Sequence, residues 1–231
     1  MLKAENLTKK YGSQIALNPL NLQIRKGEIF ALLGQNGAGK TTTINLFLGF
    51  VKPTEGNLFI NGISVIDNPQ ETKKHLAYIP ESVTLYPHLS GIDNLKFFST
   101  LAGFDYSNSE LNYFLDKAGL QTVAHHQKLA NYSKGMRQKV GIAIAIAKKA
   151  SVLFLDEPTS GLDPKASNEF SKILQELAKD GTAILMATHD IFRAREVATQ
   201  IGIMNEGNLV SVLNANEITA SELEKLYLQT V

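Results

Sequence analysis

No cysteine occurs anywhere in this chain. That excludes a disulfide framework and any thiolate metal site, and it suits the cytosol. No apolar run is long enough to cross a bilayer. The nearest candidate, Val140–Ala147 (VGIAIAIA), is stopped by Lys148 and Lys149. The opening residues, MLKAENLTKKYGS, carry no apolar core of a secretory signal. Any role at a membrane is therefore expected to run through a partner. An excess of one charge is missing too. Lys and Arg number 23 against 22 Asp and Glu, so the basic surplus that accompanies phosphate-backbone binding is absent and no nucleic-acid partner is expected. No internal repeat, low-complexity tract or evident linker interrupts the 231 residues. Their 44% hydrophobic content suffices for a sizeable core.

Against this plain background, residues 34–41 read Gly-Gln-Asn-Gly-Ala-Gly-Lys-Thr, a complete G-x-x-x-x-G-K-[ST] phosphate-binding loop. Each fixed position has a physical reason. Gly34, Gly37 and Gly39 let the backbone turn where a side chain would clash. The amides of Gln35, Asn36, Ala38 and their neighbours can then point inward as an anion cradle. Lys40 reaches the β- and γ-phosphates, the Thr41 hydroxyl can hold Mg²⁺, and Thr42 follows in the first helical turn. The setting agrees. Glu28–Leu33 (EIFALL) reads as a buried strand, and Lys40–Gly49 reads as a helix whose N-terminus faces the phosphate.

Further along, Leu20, Leu22 and Ile24 alternate with polar residues as in a half-buried strand. Leu58–Val65 reads as strand, Asn61-Gly62 turn and strand. The segment from about Ser90 to Ile146 is expected to be helical. Ser90 with Asp93 fits a capping box opening Asp93–Leu101. Ser109 is expected to cap Glu110–Ala118, with Gly119 at its end. A third helix is expected over Ser133–Lys149. Strand–helix alternation then returns: Val152–Leu155, a helix from Asp163-Pro164 to Asp180, Ala183–Ala187, a hairpin over Ile201–Leu213, and a final helix capped by Thr219 with Glu222. Such alternation implies an α/β parallel core.

Val152-Leu153-Phe154-Leu155-Asp156-Glu157 is an apolar strand ending in two acids. Ligands of open α/β sheets sit beyond the carboxyl ends of the strands, which places both carboxylates near the phosphate loop. Asp156 is the better candidate for Mg²⁺, a hard cation that prefers oxygen. Glu157, one residue further out, is placed to polarise a water for attack on a γ-phosphorus.

These segments together carry a family resemblance. Gly34–Thr41, Tyr132–Gln138 (YSKGMRQ), Leu153–Leu162 (LFLDEPTSGL) and Thr188-His189-Asp190 occur in the order of an ABC-transporter nucleotide-binding domain. The resemblance spans essentially the whole chain. It implies an α/β P-loop NTPase core with a parallel sheet, an N-terminal antiparallel β element and an inserted helical subdomain. The expected division is 1–89 with 150–231 for the core and 90–149 for the helical part. It implies ATP and Mg²⁺ as cofactors and two copies, most simply a homodimer, meeting head to tail. Ser133, Lys134, Gly135 and Met136 of one copy would then face the γ-phosphate held by the other. Asp163 matches the loop joining the two sites, His189 the catalytic switch histidine that contacts the γ-phosphate and Glu157, and Tyr11 the aromatic that stacks on adenine.

Two departures stand out. Glu81, in Ala77–Glu81 (AYIPE), replaces a glutamine that meets Mg²⁺ and the attacking water. Glutamate can still hold the metal, but it adds negative charge near the phosphates. The signature reads SKGM where SGGQ is common, keeping Ser133 and Gly135. PES-VTLYPHLSG with YSKGMRQ resembles the ATPases of ABC-2-type exporters, and is especially similar to those encoded with copper-site assembly systems of nitrous oxide reductase. The short tail after Leu213 contrasts with importers that carry a regulatory C-terminal domain. The expectation is thus an ATPase subunit at the cytoplasmic face of the inner membrane, joined to a multi-spanning permease. The segment Ser82–Phe98, with Val83, Leu85, Tyr86 and Leu89, would receive it. A soluble ATPase acting on ribosomes or DNA, and a regulatory ATP-binding subunit with little turnover, are the alternatives. The missing second cassette or coiled-coil insert disfavours the first. Glu157 and His189 disfavour the second.

Overall fold

Alternation within the apolar strands divides the interior into two cores. In the computed structural model, which describes residues 1–230, every residue of β3 (Ile29–Leu33) is buried. Ile29, Ala31 and Leu33 face one core, while Phe30 and Leu32 face the other. Strands β7 (Val152–Asp156) and β8 (Ala183–Thr188) divide in the same way. Leu153, Leu155, Ile184 and Met186 join the first core; Val152, Phe154 and Leu185 join the second. Strands covered on both faces read as unbroken apolar runs, the habit of parallel sheets. These strands, with β6 (Leu76–Ile79) beside β7 and β9 (Gln200–Asn205) beside β3, do run parallel. β10 (Asn208–Asn214) returns antiparallel to β9. The six-stranded order is β10-β9-β3-β8-β7-β6.

The second core is closed by α1 (Lys40–Phe47) and by an antiparallel sheet. The sheet comprises β1 (Leu2–Tyr11), β2 (Gln14–Ile24), β4 (Glu55–Ile60) and β5 (Ile63–Ser64), in the order β2-β1-β4-β5. The expected hairpin forms, with Ile60 opposite Ile63. Asn61 (φ 53°) and Gly62 (φ 78°) both take the left-handed conformation that a type I′ turn demands. β1 escapes period-2 reading because it is irregular. Asn6 sits at φ 46°, and the register with β2 shifts between Ala4, Leu7 and Lys9.

Helices α3 (Gly91–Leu101), α4 (Asn108–Lys117) and α5 (Lys134–Ala147) lie on the first core's side. Their Leu95, Leu111, Leu115 and Val140 pack in one cluster with Leu33, Leu153 and Phe170. Ser90 and Asp93 form the expected box, although α3 begins at Gly91. α4 requires a correction. Its cap is Ser107, not Ser109, because the reciprocal bond needs the acid three residues on. Glu110 Oε2 accepts from Ser107 N at 2.8 Å, and Ser107 Oγ accepts from Glu110 N at 3.4 Å. Ser109 lies two residues too late, inside the helix. Ser133 caps α5, and Asp163 caps α6 (Pro164–Lys179), as expected. α8 (Ala220–Thr230) opens on the Thr219–Glu222 pair. α2 (Pro69–His75) and α7 (Ile191–Val197) were not anticipated. At seven residues each, they are too short to show helical periodicity. Among the described residues, no helix is long and apolar enough to cross a membrane.

Candidate active site

Because β3, β7 and β8 run parallel and in register, Leu33, Asp156 and Thr188 finish at one edge of the sheet. The loop after β3 turns there into α1. Gly34 is required by proximity: a Cβ would lie 2.5 Å from the Met204 carbonyl oxygen of β9. Gly39, at φ 103°, starts α1, and a Cβ there would meet Ala16 O at 2.9 Å. No side chain caps α1. Its first-turn amides and positive dipole end are thus left facing the loop, as an anion site needs. Gly34 and Ala38 form the back of the loop, with Ala38 buried and its carbonyl accepting from Gly207 N at 3.1 Å. Gln35, Asn36, Gly37, Gly39, Lys40, Thr41 and Thr42 line a cleft of about 410 Å³. Tyr11, Glu81, Asp156 and Glu157 share that lining. Tyr11 is half exposed at the rim, with Lys9 Nζ 4.8 Å from its ring centroid.

Charge is concentrated at the cleft floor. The buried Lys40 ammonium donates to Gly34 O (2.6 Å) and Gln35 O (3.0 Å), and it lies 3.8 Å from Glu157 Oε1. Burial lowers the Lys40 pKa, and the Glu157 and Asp156 carboxylates partly restore it. Thr41 Oγ1 donates to Asp156 Oδ1 at 3.3 Å. Burial raises the Asp156 pKa, assisted by the negative charges of Glu157 and Glu81; the Thr41 hydrogen bond and Lys40 oppose the shift.

Glu157 is held from several sides. Its backbone takes φ 47°, uncommon for a residue with a Cβ. Its N–H donates to Ala187 O (2.9 Å). Its Oε2 lies 2.9 Å from His189 Nδ1 and accepts from Thr188 Oγ1 at 3.4 Å. Its Oε1 is buried with no hydrogen-bond donor. A buried carboxylate oxygen beside a lysine, unpaired otherwise, is what a proton acceptor for an attacking water requires. The residues also suit a magnesium ion. Thr41, Asp156 and Glu81 offer oxygen donors to one cleft. No group of three or more His, Asp or Glu forms an all-protein cation site among the described residues. None is needed, since Mg²⁺ is usually held by one or two carboxylates together with substrate phosphates.

Ser133, Lys134, Gly135, Met136 and Asp163 are not brought into this cleft. They gather beside it at the start of α5 and α6. Ser133 Oγ accepts from Met136 N (3.2 Å), and Asp163 Oδ1 accepts from Ala166 N (2.9 Å). Gly135 packs near Leu162 and Ala166, and Lys134 Nζ reaches Glu81 Oε1 at 3.6 Å. Of the apolar residues expected to meet a partner, Tyr86 and Leu89 are exposed, while Val83 and Leu85 are partly buried against the first core. Three residues inside the quoted motifs were given no role of their own by the sequence. Thr188 holds Glu157, Ser160 donates to Glu81 Oε1 (3.0 Å), and the buried Gln138 of α5 donates to the Pro158 carbonyl. Their place within the motifs was the only signal available.

Known proteins resemble this chain in sequence and in fold. The family model for ABC transporters matches residues 17–160, and the chain belongs to that family. It is 36% identical over 222 residues to the bacitracin transport ATP-binding protein BcrA of Enterococcus faecalis, covering 94% of this chain and 70% of that protein. It is 34% identical to the lantibiotic transport ATP-binding protein SrtF of Streptococcus pyogenes, covering 98% and 96%. Among solved structures, an ATP-binding subunit of an ABC transporter superposes with a TM-score of 0.86 at 30% identity, covering 99% and 98%. The dimeric post-hydrolysis state of the cassette MJ0796, bound to ADP and Pi, gives 0.82 at 28% identity, covering 93% and 99%.

Proposed function

We propose that this chain is the ATP-binding and ATP-hydrolysing subunit of an ABC transporter, working as a pair of copies under a separate membrane permease. The observation that carries the reading is the convergence on one cleft of Lys40, Thr41, Asp156 and Glu157, with His189 on Glu157. The amides of Gly34–Thr42 and the Lys40 ammonium bind and orient the β- and γ-phosphates, with Tyr11 beneath the adenine. Thr41, Asp156 and Glu81 would hold Mg²⁺, which when bound neutralises phosphate charge. Glu157 takes the proton of the attacking water as its oxygen bonds to the γ-phosphorus and the bond to the β-phosphate oxygen breaks. His189 and Thr188 fix the rotamer of Glu157.

Ser133, Lys134, Gly135, Met136 and Asp163 complete the site of a second copy. Their position at a helix N-terminus outside their own cleft supports that reading. ATP can drive the pair together only through its higher affinity for the closed arrangement. The helices between 90 and 149 act as the unit that carries this second face. The permease docks along Ser82–Phe98, where Tyr86, Leu89 and Phe97 are exposed, and holds the subunit at the cytoplasmic face of the inner membrane. Export is the proposed direction, in the ABC-2 branch that includes copper-site assembly systems. The PES-VTLYPHLSG and YSKGMRQ stretches support it. Purification from detergent-solubilised native membranes tests the assignment. A stoichiometric multi-spanning protein is the expected companion. Recovery with ribosomes or DNA from the soluble fraction alone would overturn it.

A further inference from the structure

Both departures in the site change charge, and the fold puts them together. Glu81 follows β6, at the end of the parallel sheet. Lys134 is the first residue of α5, on the helices that carry the second face. Their side chains form an ion pair of 3.6 Å. Ser160, from the loop after β7, donates to the same Glu81 oxygen at 3.0 Å. Three separate segments thus meet on one carboxylate that also lines the phosphate cleft. The neighbouring Asp156 and Glu157 already make the floor acidic. Glu81 adds to that charge, and the pair with Lys134 offsets it.

We propose that Lys134 is a positioning residue acting through Glu81. In the separate protomer it draws the carboxylate toward α5 and away from the cation. When the start of α5 turns to a second copy, the pair breaks and Glu81 is released to the metal. Closure of the two copies thereby delivers a full negative charge to the cation site. The inference rests on the reading of Glu81 as metal-facing. The Lys134 and Glu81 side chains are 34% and 54% exposed, so the pair is a surface one and its effect is modest.

The test is Mn²⁺ affinity of the ADP-bound protein at low salt, followed by electron paramagnetic resonance, for wild type, Lys134→Met, Glu81→Gln and the double variant. Lys134→Met is expected to tighten Mn²⁺ binding by roughly two- to fivefold. Glu81→Gln alone is expected to leave it nearly unchanged, because Lys134 already holds that carboxylate from the cation, and to abolish the gain in the Lys134→Met background. Weakening by Glu81→Gln alone, with an equal or absent Lys134→Met shift in both backgrounds, would overturn the positioning role while leaving Glu81 at the metal. No effect of Glu81→Gln in the Lys134→Met background would remove the metal-facing reading and the inference with it. Coincident thermal unfolding of all four proteins separates these outcomes from a folding defect.

Discussion

Glu157 is the residue whose backbone, buried oxygen and neighbours all point to one task. A left-handed conformation at a residue with a Cβ costs of the order of 1 kcal/mol, and here it persists because β7, β8 and His189 fix both ends of the side chain. Glu157→Gln keeps the shape and removes the proton acceptor. Steady-state hydrolysis is expected to fall by roughly 10²–10⁴ while ATP is still bound. Near-normal turnover would remove the assignment. Asp156 lends itself to a pH argument. Burial, with two neighbouring carboxylates, raises its pKa, so between the ordinary aspartate value and the raised one the native state keeps a proton that the unfolded chain has lost. Stability from this group therefore falls as pH rises from the ordinary aspartate value to the raised one. Asp156→Asn is expected to raise the thermal midpoint in chelator at neutral pH and to weaken Mn²⁺ binding. A lowered midpoint would contradict this. Lys40, Thr41, Asp156 and Glu157 were legible because their chemistry dictates fixed spacing. Thr188 and Ser160 were not, because a single hydroxyl gains its role only from what the fold sets beside it.

Among the elements, legibility followed length and reciprocity. The strands β3, β7 and β8 could be read from apolar runs, and α3, α6 and α8 from caps whose partners lie at a set distance. The irregular β1 and the short α2 and α7 left no period to detect. α4 shows how narrow the rule is. Two serines lie at its start, and only Ser107 stands three residues before Glu110. Ser107→Ala is expected to destabilise the fold by about 1 kcal/mol, as loss of a cap does. Ser109→Ala is expected to cost far less. Chemical denaturation of the two variants decides the matter, and equal losses would contradict the assigned cap.

For the whole molecule, the site divides between residues inside the cleft and residues beside it. Composition and periodicity said nothing of that division; it came from family resemblance, and the fold then set Ser133–Met136 and Asp163 outside their own cleft. The proposed head-to-tail pairing would bring the two groups together. The most direct measurement is the molar mass of Glu157→Gln by light scattering, with Mg²⁺, in the presence and absence of ATP. A single-chain mass is expected without ATP and twice that mass with it. A single-chain mass at saturating ATP, with ATP demonstrably bound, would contradict it.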